Sequence, residues 1–439
     1  MPARANAAFD YDVAVVGGGP AGSSTASRLA RHGRRVLVLE RETFPRFHIG
    51  ESLLPWSDEI FHAIGVEPKV AAAGFVHKWG ATFFSADGEI EQYADFADAL
   101  ETPRPQTYQV PRHELDRLLL EHAASCGAEV QQDAQALEAT FDESGVTLRY
   151  TAGGAERAAR VAAIVDASGR VGFLARRFAE RTYDPLLKNV AVHAWYEGIP
   201  RRTGRRAGDI RMVTRPDRGW FWLIPISETM TSVGVVLPKD VYAATGAKTL
   251  DASLDAYVAE TPQAAALLAN ARRVSEVRFD ADYSYESKQY AGDRWVIVGD
   301  AGAFLDPIFS TGVLLGMQGG IDAADALHAG LAANDLSRGR FAAYERAIGK
   351  RFRYFRRFAV GFYDPPFRDI FFQPSESSIR KAVISVLAGN WRPTFATRLR
   401  LAAFFGIVAL QRYVGIAPRL NDFDPARKSA PVSQELAAE

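Results

Sequence analysis

The chain has 439 residues, enough for two or three structural units at roughly one domain per 150 residues. Apolar residues at 48% and charged residues at 24% are the balance of a globular protein, not of a disordered or fibrous one. Lysine plus arginine and aspartate plus glutamate both total 52, which argues against bulk attraction to nucleic acid; the single cysteine, Cys126, excludes a disulfide framework, a multi-cysteine zinc site and an all-cysteine iron–sulfur cluster.

The first predicted elements are strand, tight turn, helix, strand. Residues 12–16 (DVAVV) form a β-branched run of the kind buried in a parallel sheet. The turn Gly17-Gly18-Gly19-Pro20-Ala21-Gly22 follows, a helix is expected from Ser23 to His32 with Gly33 to stop it, and residues 35–39 (RVLVL) end in Glu40. A Gly-x-Gly-x-x-Gly turn alone is a weak signal. Strand, helix and a trailing acid around it make it a dinucleotide-binding unit: the glycines let backbone approach a pyrophosphate on the helix N-terminus, and Glu40 is placed for a ribose hydroxyl.

Further along, residues 162–166 and 295–298 read as more strands of the same sheet, the second running into Gly299-Asp300. Between them, alternating segments at 190–196, 220–225 and 231–237 predict a second, antiparallel sheet, to which residues 75–110 also contribute. The chain turns helical after Gly312 and stays so to about Leu410. The expected division is a discontinuous unit of 10–75, 105–188 and 276–335, a sheet unit of 76–104 and 189–275, a helical region of 336–425, and a frayed tail of 426–439. Met1 to Tyr11 lacks the apolar core of a secretory signal, and no stretch reaches the ~18 apolar residues of a spanning helix. The sequence therefore reads as cytoplasmic. The apolar run 401–410 is expected to be a buried helix, with peripheral membrane contact the lesser reading.

Three matches then carry a resemblance. Residues 299–303 (GDAGA) begin where a strand meets a helix, 110–116 (VPRHELD) contain Arg112, and 166–169 (DASG) form a short turn. With the dinucleotide turn, they are similar to the FAD-dependent monooxygenase superfamily of aromatic hydroxylases, geranylgeranyl reductases and halogenases. The resemblance implies a Rossmann-type α/β fold with an inserted antiparallel substrate-side sheet and a helical C-terminal region. It implies FAD contacts from Gly17, Gly19, Pro20, Ala21, Gly22, Glu40, Arg41, Arg112, Asp166, Gly169 and Asp300. No second Gly-x-Gly-x-x-Gly occurs, so reduced FAD is expected from a separate NAD(P)H-dependent flavin reductase, with transient docking of NAD(P)H the alternative.

Within the superfamily one branch is favoured, the flavin-dependent halogenases. Residues 47–55 (FHIGESLLP) resemble its flavin-adjacent loop, giving Gly50, Glu51 and Ser52. Trp220, Trp222, Ile224 and Pro225 match its Trp-x-Trp-x-Ile-Pro signature, and 304–312 (FLDPIFSTG) resembles its anion turn. Two indoles two residues apart on a strand share a face and make a wall that keeps an organic substrate off the flavin while a halide still reaches it. Ser310, Thr311 and Gly312 lead into a helix, and the resemblance places chloride or bromide there. Lys78, in 77–83 (HKWGATF), resembles the branch's catalytic lysine; an ammonium polarises hypohalous acid, and a neutral amine carries the halogen. Taken alone, such a lysine is ordinarily a solvated cation. Tryptophan-acting members carry a glutamate just before Ser-Thr-Gly, and Phe309 stands there instead. The expected substrate is thus an electron-rich pyrrole or phenol, free or held on an acyl or peptidyl carrier protein. The basic strip 338–357 is either a receiver for an acidic carrier or, more simply, a solvated helix face. No metal is expected. The rival reading on the same fold is a monooxygenase or a geranylgeranyl-reductase-like oxidoreductase.

Overall fold

The computed structural model describes residues 9–281 and 284–420. The tail expected at 426–439 lies outside them. Tyr11–Val16 is the middle of the first sheet, parallel to Val36–Leu39 on one side and to Ala155–Asp166 on the other. Trp295–Ile297 and Glu129–Gln131 extend the parallel order outward. Val13, Ala14 and Val15 are fully buried, as a sheet covered on both faces requires. The helix Pro20–Arg31 leaves the first strand through the glycine turn and packs against Gly312–Ala333, so both helix N-termini face the same crevice.

The second sheet has Asn189–Glu197, Met230–Pro238, Trp220–Pro225 and Ile210–Thr214 in antiparallel order. Gly80–Phe84 then joins parallel to Ile210–Thr214, the one departure from an all-antiparallel expectation among these pairs. Two boundaries move. Arg278–Ala281, expected in the first unit, pairs with Asn189–Glu197 in the second sheet. Val76–Lys78, expected in that sheet, forms a separate ribbon with Thr107–Gln109. The chain leaves the ribbon at Trp79 because Asp209 Oδ1 accepts the N–H groups of Trp79 at 2.6 Å and Gly80 at 2.9 Å. A bridge from Ser52 to Gln109 lays the Gly50–Glu51–Ser52 loop beside the ribbon.

The helices Gly312–Ala333, Ala342–Phe362, Pro365–Phe371, Ser378–Leu387 and Phe395–Val414 follow, as the sequence implied. Phenylalanines tie them inward: Phe83 of the second sheet meets Phe371 at 4.8 Å between ring centroids, and Phe309 of the turn Pro307–Phe309 meets Phe362 edge-on at 5.9 Å. No described helix is long and apolar enough to cross a membrane. The run at 401–410 is buried on one face only, through Leu401, Phe404 and Val408.

Candidate active site

A cavity of about 890 Å³ opens between the two sheets at the glycine turn. Gly17 has φ +107°, and a Cβ there would lie 2.3 Å from the Ala167 carbonyl; at Gly22 a Cβ would lie 1.9 Å from the Gly17 carbonyl. Only glycine lets strand, turn and helix close to this distance. Of the residues expected to hold FAD, Gly17, Gly19, Pro20, Ala21, Glu40, Arg41, Gly50, Glu51, Ser52, Arg112, Gly169, Asp300 and Gly312 all line the cavity. The fit to FAD is a cradle of backbone at one end, a cationic and acidic middle, and an aromatic far wall.

Gly22 and Asp166 do not line the cavity and stand behind the glycine turn. The expectation of an Asp166 contact to cofactor is corrected: its carboxylate accepts from the N–H groups of Ser168, Leu174 and Ala175 and from the Ser168 hydroxyl, which fixes the turn that Gly169 presents. Glu40 accepts from Gly18 N–H at 2.7 Å and Glu42 N–H at 3.0 Å, so its position is set by the turn it serves. Arg112 opens the helix Arg112–Ser125 and is locked bidentate onto Asp116 at 2.8 and 3.0 Å, while Nη1 donates to the Ile49 carbonyl at 2.5 Å. Asp116 raises the arginine's pKa, holding it charged at the cavity wall. Burial pushes the Asp300 carboxyl up to about 6 against the pull of Arg112, Arg170 and Arg181.

The far wall is the tryptophan strand. Trp220 and Trp222 face the cavity with ring centroids 6.0 Å apart, and Ile224 continues the surface. Pro225 ends the strand and does not reach the cavity, which corrects its expected shielding role. Trp220 Nε1 donates to the Tyr363 hydroxyl at 2.8 Å, and that hydroxyl donates to Asp306 Oδ2 at 2.9 Å. Asp306 also accepts from Asn189 and from Ile308 N–H. One carboxylate thus caps the short helical turn Pro307–Phe309 and anchors the indole wall. Ser310 follows in the left-handed region at φ +55° and lines the cavity with Gly312. Thr311 lies just behind, its Oγ1 buried and without a partner among the described residues.

Lys78 is 2% exposed and outside the cavity. Its Nζ donates to Ser52 Oγ at 2.9 Å and to the Leu53 carbonyl at 3.0 Å, with the Phe96 ring 5.2 Å away. Burial lowers its pKa from 10.5 to about 7, although nearby Asp209 pulls upward. Ser52 therefore links the cavity to the lysine. It faces the cavity and holds the lysine. Beside it, Glu51 Oε1 accepts from Trp195 Nε1 at 3.0 Å, and burial raises the carboxyl against that bond and the Ser232 hydroxyl. Phe309 is buried in the aromatic packing and brings no carboxylate to the turn.

Sequence reasoning missed Asp116, Asp209, Asp306, Tyr363 and Trp195. Asp116 had a signal, the i, i+4 spacing from Arg112 within the 110–116 match. Asp209 and Tyr363 had none, because Asp209 lies 130 positions from Trp79 and Tyr363 lies 143 from Trp220. Among the described residues no cluster of potential metal ligands occurs.

Known proteins resemble this chain at three levels. The FAD binding domain family matches residues 10–347. A 1H-pyrrole-2-carbonyl-[peptidyl-carrier protein] chlorinase from Pseudomonas fluorescens is 35% identical over 381 residues, 81% of this chain and 84% of that one. Flavin-dependent halogenase armH3 from Armillaria mellea is 37% identical over 357 residues, 75% of this chain and 70% of that one. Among solved structures, the flavin-dependent brominase Bmp2 superposes with a TM-score of 0.81 at 31% identity, covering 92% of this chain and 98% of its own.

Proposed function

For a chain that belongs to the flavin-dependent halogenases, we propose that the electron-rich aromatic substrate is a pyrrole or phenol held on a carrier protein, and that Lys78 delivers the halogen to it. The enzyme is an FAD-dependent halogenase using chloride or bromide. When bound, reduced FAD supplies with oxygen the two-electron oxidation of halide. A separate NAD(P)H-dependent flavin reductase supplies the reduced cofactor in this reading.

The chain's own residues have distinct tasks. The glycine turn, Glu40, Arg112 and Asp300 hold the cofactor. Thr311 and Gly312 offer N–H groups, and the Thr311 hydroxyl an unused donor, to a halide at the cavity's edge. The Trp220–Trp222 wall excludes the organic substrate from the same space. Hypohalous acid passes Ser52 and meets Lys78, whose Nζ polarises or carries the halogen onto the ring. The observation that carries the reading is the Lys78–Ser52 hydrogen bond: a buried ammonium tied to a residue on the wall of the cofactor cavity, but not itself in that cavity. The substrate class is supported by Phe309, since Asp306 cannot replace the missing glutamate while accepting three hydrogen bonds. Two relatives, the chlorinase above and a brominase from Pseudoalteromonas luteoviolacea, are named for pyrrole substrates on peptidyl carrier protein.

The test supplies reduced FAD, oxygen and bromide together with monochlorodimedone, carrier-bound pyrrole-2-carbonyl thioester, or a free phenol. Bromination of the carrier-bound ring ahead of the free phenol is expected. Hydrogen peroxide as the sole product would favour a monooxygenase or reductase and overturn the reading.

A further inference from the structure

Six of the twelve exposed large apolar side chains among the described residues stand on or just after the helix Phe395–Val414. Its inner face, Leu401, Phe404, Val408 and Gln411, is buried against Pro365–Phe371 and Ser378–Leu387. Its outer face carries Phe395, 81% exposed, and Leu399 at one end, with Leu410, Tyr413, 86% exposed, and Val414 at the other. Between them lie exposed Ala402, Ala403 and Gly406. The steps of three and four residues make one straight stripe over a helix of 20 residues, ~30 Å long. Its ends are high and its middle low. That relief lets the backbone of another helix approach at the centre while large side chains grip at both ends.

Charge narrows the occupant. The span 395–420 contains Arg398, Arg400, Arg412 and Arg419 and no aspartate or glutamate. Arg412 pairs with Asp364, but Arg398 and Arg419 have no ion pair among the described residues. In the basic strip 338–357, four of the eight basic residues are paired. Arg351 pairs with Asp322, Arg353 with Glu286, Arg356 with Asp184 and Arg338 with Glu345. An apolar stripe with arginines that have no ion pair among the described residues matches an acidic amphipathic helix. A second copy would set arginines against arginines, and a bilayer gains nothing from the low middle.

We propose that the outer face of the helix Phe395–Val414 docks the acidic carrier protein that presents the substrate to Lys78. The proposal rests on the tethered-substrate reading above. The packing connects this face to the site: Phe395–Val414 lies on Ser378–Leu387, which lies on the turn Phe96–Asp98, and the Phe96 ring is the one beside Lys78 Nζ, so a prosthetic arm has to pass around two helices to reach the lysine.

The experiment uses the holoenzyme with two probes: pyrrole-2-carbonyl thioester on an acidic peptidyl carrier protein, and the same acyl group on N-acetylcysteamine. The variants are Leu399→Asp with Tyr413→Asp, and separately Arg398→Glu with Arg419→Glu, all at exposed positions. Each pair is expected to raise KM for the carrier-bound probe by about tenfold or more, corresponding to ~1.4 kcal/mol of lost binding. The free thioester and FAD affinity should be unchanged. Unchanged KM for the carrier-bound probe, with an active wild type, overturns the docking face and leaves the tethered-substrate reading standing. A wild type that halogenates the free thioester but not the carrier-bound one overturns both. Equal loss on both probes assigns the helix a structural role and overturns the proposal. So does intact carrier kinetics accompanied by loss of phosphatidylglycerol-vesicle binding, or of a dimer, in the variants.

Discussion

Lys78 sits where a lysine is expensive. Burial holds its pKa near 7, against 10.5 for a free lysine. Between these values the unfolded chain binds a proton that the folded one does not, so this residue's contribution to stability rises with pH from about 7 to 10.5 and is lowest below 7. Lys78→Met should therefore raise stability at pH 6, by roughly 1–3 kcal/mol once the unpartnered Ser52 hydroxyl and Leu53 carbonyl are allowed for, and the gain should vanish near pH 10. Urea unfolding at the two pH values checks this, and a variant less stable at pH 6 would count against the buried ammonium. Thr311 gives the opposite kind of case. Its hydroxyl has no partner among the described residues, so Thr311→Val should leave stability equal or higher, while weakening halide binding by about tenfold, the order of one hydrogen bond to an ion. Bromide titration beside a thermal melt separates the two. Equal bromide KM would remove Thr311 from the halide site.

At the scale of elements, the anion turn and the tryptophan strand are one unit because Asp306 and Tyr363 join them. Tyr363→Phe leaves the Trp220 N–H buried without an acceptor, a cost of about 1–3 kcal/mol, and lets the indole move. The expected signature is more hydrogen peroxide and less halogenated product per reduced FAD consumed, at unchanged FAD affinity. A variant that is merely less stable, with normal coupling between flavin oxidation and product, would deny the wall its role. Here the limits of legibility are physical. The glycine turn, the Trp-x-Trp strand and the Ser-Thr-Gly turn were legible because their chemistry is local: a tight turn, a period of two, a helix start. The clamp on them was not. Tyr363 reaches Trp220 across 143 positions, and Asp209 draws the chain out of the lysine ribbon from 130 positions away, distances over which spacing carries no information. Asp166 was misjudged for a related reason, since a carboxylate beside a cofactor turn reads the same whether it faces the cofactor or the backbone behind it. Residues 278–281 fall within the first unit by sequence but pair with Asn189–Glu197 in the second sheet, because a boundary drawn from the sequence does not report which strand a short segment will join.

Across the whole molecule, the glycine turn, Arg112, Asp300 and the indoles line the cavity between the sheets, while Lys78 is packed outside it against Phe96 and the Leu53 carbonyl. Ser52 is on the border. On the function proposed above, this arrangement keeps the ring to be modified away from the oxygen chemistry, so that only a small oxidised halogen crosses. The measurement that tests this most directly is the product balance of Lys78→Met holoenzyme given reduced FAD, oxygen, bromide and carrier-bound pyrrole. FAD affinity and consumption of reduced FAD should match the wild type while brominated pyrrole disappears. Brominated pyrrole formed at the wild-type rate would contradict that account.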